Sequence, residues 1–361
     1  MRLFQNSGIY PSYRLRLDEL ARASTTFTAR RQVFLDDRSG ACHILAPVLD
    51  GEQTAFFTNA DDEVLQRMWA RENGLAGDLP MADILLAQIE AHRTEVFYNM
   101  DPVRFQSDFI RRLPGCVRGS VAWRAAPSPR MDFSAYTAVV CNFPAILDGY
   151  RSMGWRAEYF SPAHDPVMDG FAANDDRPTD VLFVGGYSRH HRRRARVLEA
   201  IARLGDRYEV QLHLDQSRLN RLAESGLGRL LPLGQHRRPA AIRALASGPI
   251  FGLDLYRAIS RAKIVVNAAV DMAGDERGNM RCFEVMGCRA AMVSDAGKYP
   301  AQMDPANSMI LYADPGNVAA VVEEFLRDDA RRRAIADRGF QVMRTHYNKP
   351  QQWAEFRALV H

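Results

Sequence analysis

The sequence predicts an α/β protein made of two domains, each a parallel sheet flanked by helices. Three observations predict it. Strand-like and helix-like segments alternate through both halves of the chain, as in successive βαβ crossovers. The 361 residues suit two domains of ordinary size, each able to bury its own core. Between the halves lies Phe160-Ser161-Pro162-Ala163-His164-Asp165-Pro166, then the polar run Ala172-Ala173-Asn174-Asp175-Asp176-Arg177-Pro178, a composition typical of linkers. The predicted partition is a domain over 1–160, a linker over 161–178, a second domain over 179–345 and a last helix over 346–361.

The elements follow in order. Arg2–Gln5, Thr94–Tyr98, Arg118–Trp123, Ala138–Cys141 and Arg156–Tyr159 read as strands, with helical stretches over Asp61–Ala70 and Ala82–Ala91. The region 25–60 has no clear period and is expected to carry a hairpin. In the second half Val181–Val184, Glu209–Leu214, Ile264–Asn267 and Ala291–Ser294 read as strands, and His190–Leu204 and Leu255–Arg261 as helices. Open α/β sheets bind ligands outside the carboxyl ends of their strands. Gly185, Gly186, Asp215, Asn267 and Ser294 should therefore line one domain's edge. Ser7, Gly8, Asn99, Asp101, Trp123 and Asn142 should line the other's.

Composition narrows the class. Hydrophobic content of 47% and charged content of 25% are those of a soluble globular protein, and no window approaches a membrane span. The start, Met1-Arg2-Leu3-Phe4-Gln5-Asn6-Ser7-Gly8, is too short and polar for a signal peptide, so a cytoplasmic location is expected. Lys263, Lys298 and Lys349 are the only lysines; the positive charge is arginine, the better reader of phosphate. Cys42, Cys116, Cys141, Cys282 and Cys288 form no C-x-x-C pair, which argues against a zinc site or a disulfide framework.

Chemistry concentrates in Gly278-Asn279-Met280-Arg281-Cys282-Phe283-Glu284-Val285-Met286-Gly287-Cys288-Arg289-Ala290. A helix capped by Gly278 or Asn279 would present unpaired amides of Asn279 and Met280 to an anion. Arg281 in its first turn adds a bidentate contact. Glu284 lies about one turn, roughly 5 Å, deeper, and can accept hydroxyl hydrogen bonds. Upstream, Gly185-Gly186-Tyr187 joins a strand to a helix, which is either an ordinary tight turn or a phosphate contact. No G-x-G-x-x-G or Walker pattern accompanies it, so dinucleotide and ATP chemistry are unsupported. The run Arg189-His190-His191-Arg192-Arg193-Arg194-Ala195-Arg196 reads first as a solvated face; Arg189, Arg192 or Arg193 can also reach a diphosphate. Nucleic acid is not expected, because no aromatic platform accompanies the charge. Asn267 ends a buried strand, with either a loop-bonding or a ligand-facing role.

These segments resemble the C-terminal half of the GT-B glycosyltransferases, in particular the bacterial family that includes the spore-maturation protein CgeB. Leu255–Asn267, the Arg281/Glu284 helix, Asn307–Asp314 and Ile335–Gly339 carry the resemblance, with Asp180–Gly186 as its first strand and turn. In order and spacing it covers residues 137–350. The family usually has glycine where this chain has Arg289. The resemblance implies two Rossmann-like domains facing across a cleft, with a last helix around Gln351–Val360 crossing back to the first domain. It implies transfer of a sugar from a nucleoside-diphosphate sugar to a glycan, lipid-linked or protein acceptor, with peripheral membrane contact as an option. Glu276 and Glu284 match the E-x7-E of many retaining members, although such spacing arises by chance among 43 acidic residues. Retaining transfer needs no strong protein base; an inverting enzyme would need one, for which Asp101 is the candidate. No metal or other cofactor is expected. A nucleotide-sugar epimerase and a non-catalytic binding subunit are the alternatives.

Overall fold

The computed structural model describes residues 1–187, 191–269 and 272–360, with all their side chains but those of Arg229 and Gln235. The chain forms two compact units, Met1–Ala163 with Lys349–His361, and His164–Asn348. Each is built on a six-stranded, wholly parallel sheet.

The first sheet holds β1 (Leu3–Asn6), β2 (Ala55–Thr58), β3 (Val96–Asn99), β4 (Gly119–Trp123), β5 (Ala138–Cys141) and β6 (Ala157–Tyr159), in the order β2-β1-β3-β4-β5-β6. Its central strands are buried throughout, as VFYN and AVVC are here, because helices cover both faces of a parallel sheet. Chain order reverses between β1 and β3, which makes that gap the switch point where such sheets open a crevice. Residues 25–60 differ from expectation: they form no hairpin. Thr26 Oγ1 accepts the Ala29 amide and starts a helix over Phe27–Asp36, and β2 then pairs parallel with β1. Phe56 explains the choice, since it stacks between Phe4 at 4.8 Å and Phe27 at 5.6 Å and so needs a helix above the strand.

The second sheet holds β7 (Thr179–Gly186), β8 (Val210–Asp215), β9 (Ala246–Ser247), β10 (Ala262–Val266), β11 (Ala291–Asp295) and β12 (Ile310–Tyr312). Its order, β12-β11-β10-β7-β8-β9, is the doubly wound one, with the switch point between β7 and β10. The two-residue strand β9 carries too little apolar sequence to be read in advance, and β12, inside the apolar run 309–313, is not among the strands read from the sequence.

The expected linker over 161–178 is largely a folded part of the second unit. It carries a helix over Met168–Ala172, and Gly287 is its docking point: a Cβ there would overlap Met168 Sδ and His164 Nδ1. Arg177, at its end, donates to the carbonyls of Ala262 at 2.9 Å and Cys288 at 3.3 Å. Its polar composition reflects bonds to strand ends, not freedom from them.

The last helix, Lys349–Val360, belongs to the first unit. Lys349 is buried and its ammonium donates to the carbonyls of Ala41 (2.8 Å), Cys42 (3.1 Å) and Ile44 (2.7 Å). Gln352 beside it donates to Cys42 and Ser161, and Phe356 packs on Tyr98 and Phe160. Among the described residues no helix is long and apolar enough to cross a membrane. Lys349→Met should cost about 3 kcal/mol, because it orphans buried carbonyls that water cannot reach. Urea unfolding checks this; a change under 0.5 kcal/mol, the order of an ordinary surface substitution, would refute the anchoring role.

Candidate functional site

At the carboxyl edge of the second sheet, β7 ends in Gly185-Gly186 and β10 runs into Asn267, on the two sides of the switch point. The helix Met280–Gly287 follows β10 after a loop. Asn267 and Asn279 exchange amide hydrogen bonds of 3.1 Å in both directions, and Asn267 Nδ2 also donates to Ser294 Oγ at 3.1 Å. The residue before the helix is thereby tied to the ends of β10 and β11. Asn279 stands in the N-cap position with extended backbone, yet its side chain makes no capping bond to the helix. Asn279 is thus the cap by position, as expected, while its side-chain amide is engaged by Asn267. The first-turn amides of Met280 and Arg281 have no intrahelical carbonyl to bond.

Arg281 Nη1 and Glu284 Oε2 form an ion pair at 2.6 Å. Glu284 is 2% exposed, and burial pushes its pKa up while the guanidinium of Arg281 pulls it down. Cys282, between them in sequence, is buried, and its thiol is pushed up to about 12 by burial. Its Sγ donates to Asn279 Oδ1 at 3.2 Å, so it is a packing residue. Downstream, Arg289 takes φ +55, the left-handed conformation that glycine adopts most easily. The glycine usual in the resembling family thus fits the end of this helix. Arg289 compensates with an ion pair to Asp337 at 2.5 Å.

A second brace crosses the same edge. Arg194 donates twice to the Ala268 carbonyl, at 2.6 and 3.0 Å, and Arg193 reaches Asp295 Oδ1 at 3.0 Å and the Ala313 carbonyl at 2.6 Å. Asp295, 1% exposed, also accepts the Ala269 amide at 2.6 Å. The basic run is thus not simply a solvated face: two of its arginines fasten the helix Arg192–Ala202 to the ends of β10, β11 and β12. Sequence reasoning missed Asp295 and Arg194; a lone aspartate ending a buried strand is the signal that could have found the first.

The other predicted residues are placed as follows. Arg192 is exposed at the helix start, and Arg189 lies outside the described residues. Tyr187 is buried in the apolar core of the unit. Met280 is half-buried at the first helical position. Glu276 is half-buried in a short parallel pairing with Lys298, where the Arg277 and Lys298 amides bond across; Gly297 allows this, since a Cβ there would meet the Asp275 carbonyl.

In the first unit Asp101 follows β3 at the switch point, pairs with Arg104 at 3.0 Å, and packs against Gly8. Asp61, which the sequence reading did not single out, lies beyond β2 and accepts the Ile9 amide on both oxygens at 3.1 Å. Burial pushes its pKa up, and Asp101 adds to the shift. Asn6 donates to Asn99 at 2.9 Å, and Asn99 to the Tyr136 hydroxyl at 2.6 Å, which fixes the floor of this edge.

Residues 192–358 match the family model described as glycosyl transferase-like. No curated protein matches the sequence. Among solved structures, Anabaena HepE in complex with UDP-glucose aligns with TM-score 0.56 at 12% identity, over 99% of this chain and 98% of that one. Staphylococcus aureus TarM with fondaparinux, α-GlcNAc-glycerol and UDP aligns with TM-score 0.54 at 9% identity, over 78% and 59%. A UDP-forming trehalose-phosphate synthase from Burkholderia xenovorans aligns with TM-score 0.52 at 11% identity, over 99% and 97%. At these identities the likeness is one of fold, and that fold is GT-B.

Because the folded-state pKa of Glu284 is raised, the native protein holds this proton more tightly than the unfolded chain. That contribution is full in acid and is lost as pH rises through the raised value. Glu284→Gln removes the titration, so its stability relative to wild type should improve as pH climbs above the usual carboxylate range. Urea midpoints of both proteins across that rise test this; a constant gap would show that Glu284 does not titrate there.

Proposed function

We propose that this chain, a GT-B glycosyltransferase by fold with a glycosyl transferase-like segment over residues 192–358, moves a sugar from a UDP-sugar to an acceptor hydroxyl. The observation that carries the proposal is the Arg281–Glu284 pair in the first turns of a helix at the switch-point edge of the second sheet. Arg281 and the amides of Met280 and Arg281 take the diphosphate, and Glu284 holds the ribose. Gly185 and Gly186, at the end of β7, let backbone approach the phosphates. The negative charge on the leaving UDP grows as the glycosidic bond breaks, so these groups act mainly in the transition state.

Uridine is favoured because the solved structures of like fold include complexes with UDP and UDP-glucose. The reaction is read as retaining: the leaving phosphate accepts the acceptor proton, and Glu276 contacts the transferred sugar. Metal independence follows from the same reading, with the guanidinium and helix start as the positive charges. Asp101, held by Arg104 beside Gly8, then serves acceptor binding in the first unit and not proton abstraction. Five free cysteines, four of them buried, fit the reducing cytoplasm. The acceptor is a glycan or a lipid-linked or protein-linked hydroxyl.

A thermal-shift titration with UDP, GDP, CDP, TDP and ADP should single out UDP. Saturation at a hundredfold excess over Kd adds about 2.7 kcal/mol of stability. Arg281→Ala should weaken UDP binding by about tenfold or more, the cost of a charge-assisted bidentate contact. No response to any nucleotide would remove the donor-site assignment. In turnover with UDP-glucose, EDTA should leave the rate unchanged, and the anomeric configuration of the product should match the donor; inversion would return Asp101 or Asp61 to consideration as base.

A further inference from the structure

The second unit carries an apolar, basic surface that the proposed chemistry does not use. Among the described residues thirteen large hydrophobic side chains are exposed, and five fall within 219–231: Leu219, Leu222, Leu227, Leu230 and Leu231. Leu227 is 77% and Leu230 85% exposed. Such clustering differs from the scattered apolar exposure normal on a monomer.

The segment is built to present them. Ser217 Oγ caps the helix Arg218–Glu224 through the Asn220 amide at 3.1 Å, and Ala223 faces inward, fully buried. Leu219 and Leu222, three apart, therefore share the outer side. Beyond the helix the chain folds back on it: a Cβ at Gly228 would overlap the Leu222 carbonyl, so only glycine fits. The Arg237 guanidinium donates to the carbonyls of Ala223, Gly228 and Leu231, and Arg238 forms a buried bidentate pair with Glu224 at 2.6 and 2.8 Å. The leucines are thus held outward by a hydrogen-bonded frame and are not left over from a missing core.

Charge identifies what covers them. Residues 216–243 contain six arginines and a single acid, Glu224, which Arg238 neutralises. Arg218 and Arg221 are exposed on the same short helix as Leu219 and Leu222. Exposed leucines with the exposed arginines Arg218, Arg221 and Arg243 in the same stretch, and its one acid already paired, match an anionic bilayer surface: the apolar tips enter the headgroup boundary and these guanidinium groups bind lipid phosphates. We propose that the surface Leu219–Leu231 docks this protein peripherally on anionic membranes. The inference is independent of the donor-site reading.

The test is co-sedimentation of the full chain with vesicles of phosphatidylcholine alone and of phosphatidylcholine with about one third phosphatidylglycerol, a membrane of strongly negative surface potential. Binding to the anionic vesicles should exceed binding to the neutral ones by about tenfold and fall steeply with added salt. Leu227→Ser with Leu230→Ser should lower the vesicle affinity by more than about tenfold, since both side chains lose the apolar burial that the headgroup boundary supplies. The double variant should keep the wild-type unfolding midpoint and UDP response. Equal binding to both vesicle types, no binding to either, or full binding by the leucine variant would overturn the proposal. So would a concentration-dependent dimer that the same variant abolishes, which would assign the surface to a second copy of the chain.

Discussion

A buried carboxylate beside the start of a helix is the constraint on which the second unit's edge depends. Glu284 is out of water, and a lone anion there would be costly; Arg281, one turn nearer the helix start, makes it tolerable. The same pairing fixes a guanidinium where the helix has unpaired amides. Everything around it holds that arrangement still. Asn267, Asn279 and Ser294 bind the helix start to two strand ends, and Gly287 lets the helix lie against the segment 164–168. Arg193, Arg194 and Asp295 hold the neighbouring helix to the same strands. Rigid support of this kind lets a site stabilise a developing charge without reorganising.

The two units solve the problem of a returning chain differently from what composition suggests. The polar run before β7 looks like a linker because its side chains are charged and contain proline. Those groups in fact satisfy strand and helix ends, as Arg177 does with the carbonyls of Ala262 and Cys288. Burial of Arg177 lowers its pKa to about 10, still high enough to keep it charged. At the other end of the chain a buried lysine gathers three carbonyls around 41–44 and sets the last helix on the first unit. In both places a cation bonded to backbone oxygens joins apolar contact in tying the segment to its unit.

Much of this was legible in the sequence, and the rest failed for physical reasons. Parallel strands buried on both faces announce themselves as short apolar runs, and nine of the twelve were read that way; the hairpin expected in 25–60 was wrong because its one strand needs a helix that only Phe56 and Phe27 together reveal. The motif at Arg281 and Glu284 was visible because helix starts have their own residue chemistry. Asp295, Arg194 and Asp61 were not, since each acts through a partner far away in sequence, at Ala269, Ala268 and Ile9. The left-handed backbone at Arg289 was hidden because arginine is not the residue that advertises it; only the resembling family's glycine hinted at it.

The central claim is that the helix start at Met280 and Arg281, with the end of β7, receives the donor diphosphate. Hydrogen–deuterium exchange of the full chain with and without saturating UDP tests it most directly. Amides over 278–284 and 185–187 should exchange more slowly with UDP, and Arg281→Ala should lose most of that protection while keeping the exchange pattern of the rest of the unit. Unchanged exchange in both segments, with protection elsewhere on the chain, would contradict the account.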